Sequence, residues 1–343
     1  MSSHTLQWFR SYLSNRKQVV RIHSTLSEPL PETSGVPRGS ILGPLLFSIN
    51  TNDLSSIPQK CNTQSYVDDT CTKLITFFQL EANLDAITDL KDDLFKIGEW
   101  CSNNLLLLNP GKTKLTIFGS KQMRAKLHFH FLPFMGKDIV PPDTAKDLGV
   151  ILDSNLTYNE HIIKTASSCM SRLSQINRVK HVFEKRAFLM IINSLDFSKL
   201  LYCSNVWVNT LKCNINKLQG VQNFACHIVS GAHKYDHVTP IRKELNWPPV
   251  VSQLYYRSVM TAFKCMMSNA PEYLSSKFLK RAEVSSRSIR NSQLLNIPFL
   301  KLLAAKEPFI IEQLISGILW IVLLNCVIQF FKTCLRTKLL KES

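Results

Sequence analysis

This sequence predicts an α+β fold, and three observations carry the prediction. Ser65-Tyr66-Val67-Asp68-Asp69-Thr70 sets two adjacent carboxylates among β-forming residues, and Cys71-Thr72 continues the run. Two short strands with the acidic pair at the tight turn between them fit this pattern. Lys146 to Leu156 reads as strand, turn, strand. From residue 160 to about 230 apolar residues recur every three or four positions, the period of helices packed by one face.

Taken in order, Leu6, Trp8, Phe9, Tyr12 and Leu13 give a short apolar helical face, and Arg16 to Ile22 turns strand-like. Pro29, Pro31 and Gly35 break the chain before Gly35-Val36-Pro37-Arg38-Gly39-Ser40-Ile41-Leu42-Gly43-Pro44. Glycine and proline there specify an irregular loop, with an apolar helix following through Leu54. A helix start behind such a loop suits phosphates or a nucleotide, and a purely structural helix-start loop reads the same way. Leu84, Ile87, Leu90, Leu94, Ile97 and Trp100 predict an amphipathic helix of about twenty residues, with Asp85, Asp89, Lys91 and Asp92 outside; Asp92 and Asp93, on this solvated helix, are not counted as catalytic. A strand over Leu115–Phe118 is expected next. In the later helical stretch Ile162, Ala166, Cys169, Leu173 and Ile176 form one face, while Lys164, Arg172, Arg178, Lys180, Lys185 and Arg186 supply a basic one.

With 343 residues, 45% hydrophobic and 19% charged, the chain can bury a core and hold two compact units. Its formal net charge of +16 points to a polyanionic partner, nucleic acid first and an anionic membrane surface second. Ten cysteines without a CxxC pair, after the polar opening Ser2, Ser3, His4, Gln7 and Arg10, read as reduced thiols of an intracellular protein, in nucleus or cytoplasm. The grouping Cys213, Cys226, His227, His233 and His237 fits no zinc template, and scattered core and loop residues are the expectation.

Two adjacent carboxylates are hard oxygen ligands suited to magnesium, and two such ions clamping an in-line phosphoryl displacement is the polymerase arrangement. An ordinary acidic turn gives the same short pattern. The blocks around it decide the weighting. Gly35–Ser40, the helix to Asn52-Asp53-Leu54, and Tyr66–Asp69 together resemble consecutive blocks of the reverse transcriptases of LINE-type, non-LTR retrotransposons. One departure is Arg38, where that family has glutamine; a longer charged side chain alters nucleotide or template contact there. Asn103 to Lys114 resembles the family's block with a lysine near the nucleotide phosphates, and Lys112 fits that position. Lys146 to Asp153 resembles the block that holds the primer end, and His161 follows with an expected structural role. Segments up to about residue 275 extend the likeness, among them Gln222-Asn223-Phe224-Ala225 and Leu245-Asn246-Trp247-Pro248.

The resemblance implies a partial right-hand polymerase palm, an antiparallel sheet bearing the Tyr66–Asp69 hairpin, followed by an all-helical thumb and C-terminal region. The expected divisions are a partial palm and fingers over 1–155, a helical thumb over 156–235, a C-terminal helical region over 236–312 and an apolar then basic tail helix over 313–343. It further implies RNA-directed DNA synthesis on an RNA template and DNA primer, with deoxynucleoside triphosphates. Asp68 and Asp69 would hold magnesium, or manganese in its place, with Lys112 completing the catalytic set. Gly35, Val36, Pro37, Arg38, Gly39, Ser40 and Tyr66 would line nucleotide and template, and Lys164, Arg172 and Arg178 would track the nucleic-acid backbone.

The family's two-metal site also takes an aspartate from a block before the glycine loop. Here no aspartate precedes Asp53, and Glu28 and Glu32 sit in a Pro-flanked linker. The expectation is therefore a 5′-truncated polymerase, inactive as this chain. A non-catalytic basic nucleic-acid-binding remnant is the alternative. A third class, a membrane-tethered protein, rests on the charge-free run Gln313–Phe331 and the basic residues after it.

Overall fold

A computed structural model of the chain describes residues 3–284, apart from 33–34, 37–38, 67–68, 74–81, 120, 126–129, 234, 268, 277 and 280. The tail run 313–331 lies outside the described residues, among which no helix is long and apolar enough to cross a membrane. The chain divides into two compact units, one from residues up to 111 with 134–137, the other from residue 112 onward. The fold is mixed, helices with small antiparallel sheets, and each sheet among the described residues has two strands.

The first unit opens with α1 (Ser3–Leu13), which buries no residue. Four short strands follow, β1 (Arg16–Gln18), β2 (Arg21–Ile22), β3 (Thr25–Leu26) and β4 (Leu30–Glu32), with β1 paired to β4 and β2 to β3. Helix α2 (Gly43–Asn50) carries Pro44 in its first turn, where a missing N–H costs nothing. It ends sooner than its apolar run suggests: Leu54 belongs to a separate 3-10 turn, Asn52–Ser56, because that turn aims Leu54 into the unit's small core. Strands β5 (Asn62–Tyr66) and β6 (Asp69–Lys73) form one hairpin. Helix α3 (Ala82–Asn103) packs Ile97 and Cys101 on Leu54, flanked by Leu94, Trp100, Leu106 and Leu108.

Asp93 is the first correction. It lies on α3 as expected, yet it is fully buried rather than solvated, because three backbone N–H groups of the preceding loop close over it. The second concerns Leu115–Phe118. Residues 115–118 are assigned to no strand, and among the described residues none pairs with them as a ladder; alternating apolarity makes a strand only where another strand lies alongside.

Along the chain follow α4 (Lys121–Ala125), the hairpin β7 (Leu132–Phe134) and β8 (Lys137–Ile139), and, in the second unit, the hairpin β9 (Thr144–Asp147) and β10 (Val150–Asp153). The β9–β10 turn is Leu148-Gly149, both with positive φ, +40° and +88°, the twist that two-residue hairpins need. Helices α5 (Asn159–Arg178), α6 (Lys185–Ile192), α7 (Ser198–Leu200), α8 (Ser204–Trp207), α9 (Lys212–Ser230), α10 (Val238–Glu244), α11 (Val250–Met266), α12 (Glu272–Ser275) and α13 (Arg281–Val284) follow. A π-helical turn, Asn193–Phe197, joins α6 to α7. The expected α5 face, Ile162, Ala166, Cys169, Leu173 and Ile176, is buried throughout. It packs with Trp207, Leu218, Val221, Ala225, Val250 and Leu254 in one continuous core.

Candidate functional site

The acidic pair is positioned by the β5–β6 register. Tyr66 lies opposite Asp69 as the closing pair, with Ser65 opposite Thr70 and Gln64 opposite Cys71. With that closing pair Asp69 is the first residue of β6. Asp68 and Val67 lie outside the described residues. The base of the hairpin is fixed to α3. The Asp93 carboxylate accepts N–H groups from Gln59 at 3.1 Å, Lys60 at 2.8 Å and Cys61 at 2.7 Å, immediately before β5. Burial pushes that carboxyl up, but the three donors outweigh it and hold it below the usual carboxylate range. Lys60 pairs with Asp89 one turn away on α3. The same burial, with Asp93 beside it, pushes the Cys61 thiol up to about 12, so that thiol is inert.

In the glycine loop, Gly35 and Gly39 take φ of +81° and +77°, a backbone that only glycine adopts freely. The Arg16 guanidinium donates to the Gly35 carbonyl at 2.7 Å and lies 2.9 Å from Glu32, tying the loop to the β1–β4 pair. Val36 is half-buried. Ser40 Oγ accepts the Gly43 N–H at 3.0 Å, which closes the loop onto α2. Pro37 and Arg38 lie outside the described residues. Trp100 Nε1 donates to Asp53 at 3.2 Å, joining α3 to the 3-10 turn. Lys112 is exposed in the turn Pro110–Lys112, at the start of the second unit, while Asp69 and the glycine loop belong to the first.

The basic candidates fall on α5. The helix is started by Asp153, whose carboxylate accepts N–H groups from Thr157 at 3.0 Å and Tyr158 at 2.7 Å. His161 is buried, its Nδ1 accepting the Ile151 N–H at 3.3 Å, and burial pushes its pKa down; it fastens β10 to α5. On the opposite side, Ile163, Lys164, Ser167, Ser168, Ser171, Arg172 and Gln175 line one open groove. Lys164 pairs with Glu160, Arg172 donates to the Leu195 carbonyl, and Lys199 donates to Ser168. Arg178 is exposed in the last turn, where its charge also complements the helix C-terminus. The structure thus brings Lys164 and Arg172 into one groove. Ser168, Ser171 and Gln175 join them unforeseen, with Lys199 donating to Ser168 from α7, although Lys164, Ser168, Ser171 and Gln175 repeat at four, three and four residues on the face opposite the apolar one. Among the described residues no His, Cys, Asp and Glu group has the makeup of a metal centre.

Residues 1–152 match the family model of the reverse transcriptase (RNA-dependent DNA polymerase). The chain is also similar to transposon and mobile-element proteins of flies. It is 29% identical over 256 residues to the protein described as probable RNA-directed DNA polymerase from transposon BS of Drosophila melanogaster, covering 71% of this chain and 28% of that protein. It is 24% identical over 258 residues to its counterpart from transposon X-element of Drosophila melanogaster, covering 71% and 27%. With the RNA-directed DNA polymerase from mobile element jockey of Drosophila funebris it is 24% identical over 301 residues, covering 83% and 31%. These likenesses support a reverse transcriptase. The reverse-transcriptase match contains the glycine loop, the β5–β6 hairpin, Lys112 and most of the β9–β10 hairpin. The chain spans less than a third of the length of these relatives. No solved structure matches it significantly.

Proposed function

We propose that this chain derives from the palm and thumb of a non-LTR retroelement polymerase, the enzyme class that extends a DNA primer on an RNA template. The observation that carries the reading is the β5–β6 hairpin closed by Tyr66 and Asp69 inside the reverse-transcriptase match, in a stretch whose sequence sets Asp68 and Asp69 side by side. The donor set is oxygen only, adjacent and at a strand end, which fits magnesium or manganese. Asp68 and Asp69 would hold the metal, and the ion would stabilise the charge that develops as a primer 3′ oxygen displaces pyrophosphate. The glycine loop, Gly35 to Ser40 with Tyr66, would admit nucleotide and template close to the backbone. Lys112 would offer a cation to the departing phosphates. Lys164, Arg172 and Arg178 would follow the nucleic-acid backbone along α5.

These 343 residues, assayed alone, are expected not to polymerise, because they hold no aspartate before Asp53 to complete a second metal site. Primer extension on a homopolymer RNA with magnesium, comparing the chain with Asp68→Asn, tests this. Incorporation abolished by the substitution would show a complete metal site in these residues and refute the inactivity. No incorporation, with retained salt-sensitive binding of a primer–template, supports the second reading, a nucleic-acid-binding remnant, which the α5 groove favours. Loss of both removes the functional reading altogether.

A further inference from the structure

Asp196 is unlike the other carboxylates of the second unit. It sits in the π-helical turn between α6 and α7 and is fully buried. Neither of its oxygens has a hydrogen-bond partner. Its one ion pair is with Arg172 of α5, at 3.9 Å, too long for a hydrogen bond. The charges it feels are Arg172 and Lys199, and Cys169 of α5 donates its thiol to the Asp196 backbone carbonyl rather than to the carboxylate. A buried, half-compensated carboxylate is costly in its charged form, and a π turn costs regular helical bonding as well. Burial pushes the Asp196 carboxyl up, with Arg172 and Lys199 opposing it.

The same two cations serve the groove on the other side. Arg172 is one of its walls, and Lys199 reaches it through Ser168. Ser171 adds a hydroxyl beside them. Arg172, Ser168 and Ser171 on an α5 face about 17 Å long from Lys164 to Gln175, with Lys199 joined through Ser168, give two cations and two hydroxyls that suit an anionic phosphodiester oxygen. We propose that Arg172, Lys199, Ser168 and Ser171 form a phosphate subsite for a nucleic-acid backbone, and that its occupancy is linked to protonation of Asp196. A phosphate that draws Arg172 and Lys199 outward leaves Asp196 without its counter-charge, so Asp196 takes up a proton from water as the anion binds. By reciprocity, protonating Asp196 strengthens phosphate binding. This rests on the nucleic-acid reading of α5 and adds its regulation.

The test is fluorescence anisotropy of a labelled RNA–DNA hybrid duplex with the full chain, at fixed salt, from about pH 5 to about pH 8, above the ordinary carboxylate range. The unsubstituted chain should weaken roughly fivefold or more across that range. Asp196→Asn, which mimics the protonated acid, should bind at the upper pH about as tightly as the unsubstituted chain does at the lower. Arg172→Gln should bind weakly at every pH and lower the dependence on log salt by about one. A slope that persists unchanged in Asp196→Asn overturns the linkage. An Arg172→Gln variant that binds normally overturns the subsite. Absence of binding by the unsubstituted chain at any pH overturns both, together with the nucleic-acid reading. Thermal melts of each variant confirm that binding is read on folded protein.

Discussion

At the scale of single residues, two carboxylates behave alike and one in the opposite sense. Burial pushes Asp93 and Asp153 up, and donated N–H groups outweigh it and hold both below the ordinary value. Each therefore contributes stability that is present above the unfolded pKa and lost as pH falls through the folded one. Acid titration of the fold should show this loss below about pH 4, and Asp93→Asn or Asp153→Asn should flatten it. Asp93→Ala leaves the Gln59, Lys60 and Cys61 N–H groups unpartnered. We expect a cost of about 3 kcal/mol, with faster amide exchange at Cys61 as the local readout. Asp196 is raised, so its stabilising contribution is lost as pH rises, and Asp196→Asn should raise the midpoint of thermal unfolding near neutral pH.

Elements carry the next prediction. The β9–β10 turn needs positive φ at both Leu148 and Gly149, and Tyr202 lies over it, its hydroxyl donating to the Leu148 carbonyl at 3.0 Å. A Cβ on Gly149 would meet Tyr202 Cε1 at 3.1 Å as well as strain the backbone. Gly149→Ala should therefore destabilise by about 1–2 kcal/mol. Leu148→Asn, better suited to that backbone, should stabilise by a few tenths of a kcal/mol, about 0.5 at most. Denaturant melts distinguish the two signs. That this stretch turns back on itself was legible in the sequence, which reads as strand, turn, strand. Its cover was not, since Tyr202 lies more than fifty residues away.

Over the whole molecule the two units differ in how much they bury. The first packs Leu54, Ile97 and Cys101, while α1 buries nothing and its strands are exposed. The second encloses a continuous core centred on Trp207, Leu173 and Leu218. Hydrogen exchange should be slowest in α5 and α9 and fast in β1 to β4, since protection follows buried contacts. Leu173→Ala should cost about 3–4 kcal/mol in the second unit, and the exchange pattern of the first unit should not change with it.

The sequence by itself determined the local facts. Alternation and an acidic pair specified the β5–β6 hairpin, period 3.6 specified α3 and the buried face of α5, and glycines specified a loop with positive φ. These are short-range properties, set by sterics and by which side of an element is apolar. The resemblance to a reverse transcriptase was equally readable, because it rests on blocks whose order lies in the chain. Only the tertiary structure decided what distant residues do to one another. It buried Asp93 under a loop about thirty residues away, left Leu115–Phe118 out of the sheets among the described residues, and set the buried Asp196 beside Arg172. Whether a carboxylate is solvated, and whether an extended run becomes a strand, depends on neighbours that no local pattern names.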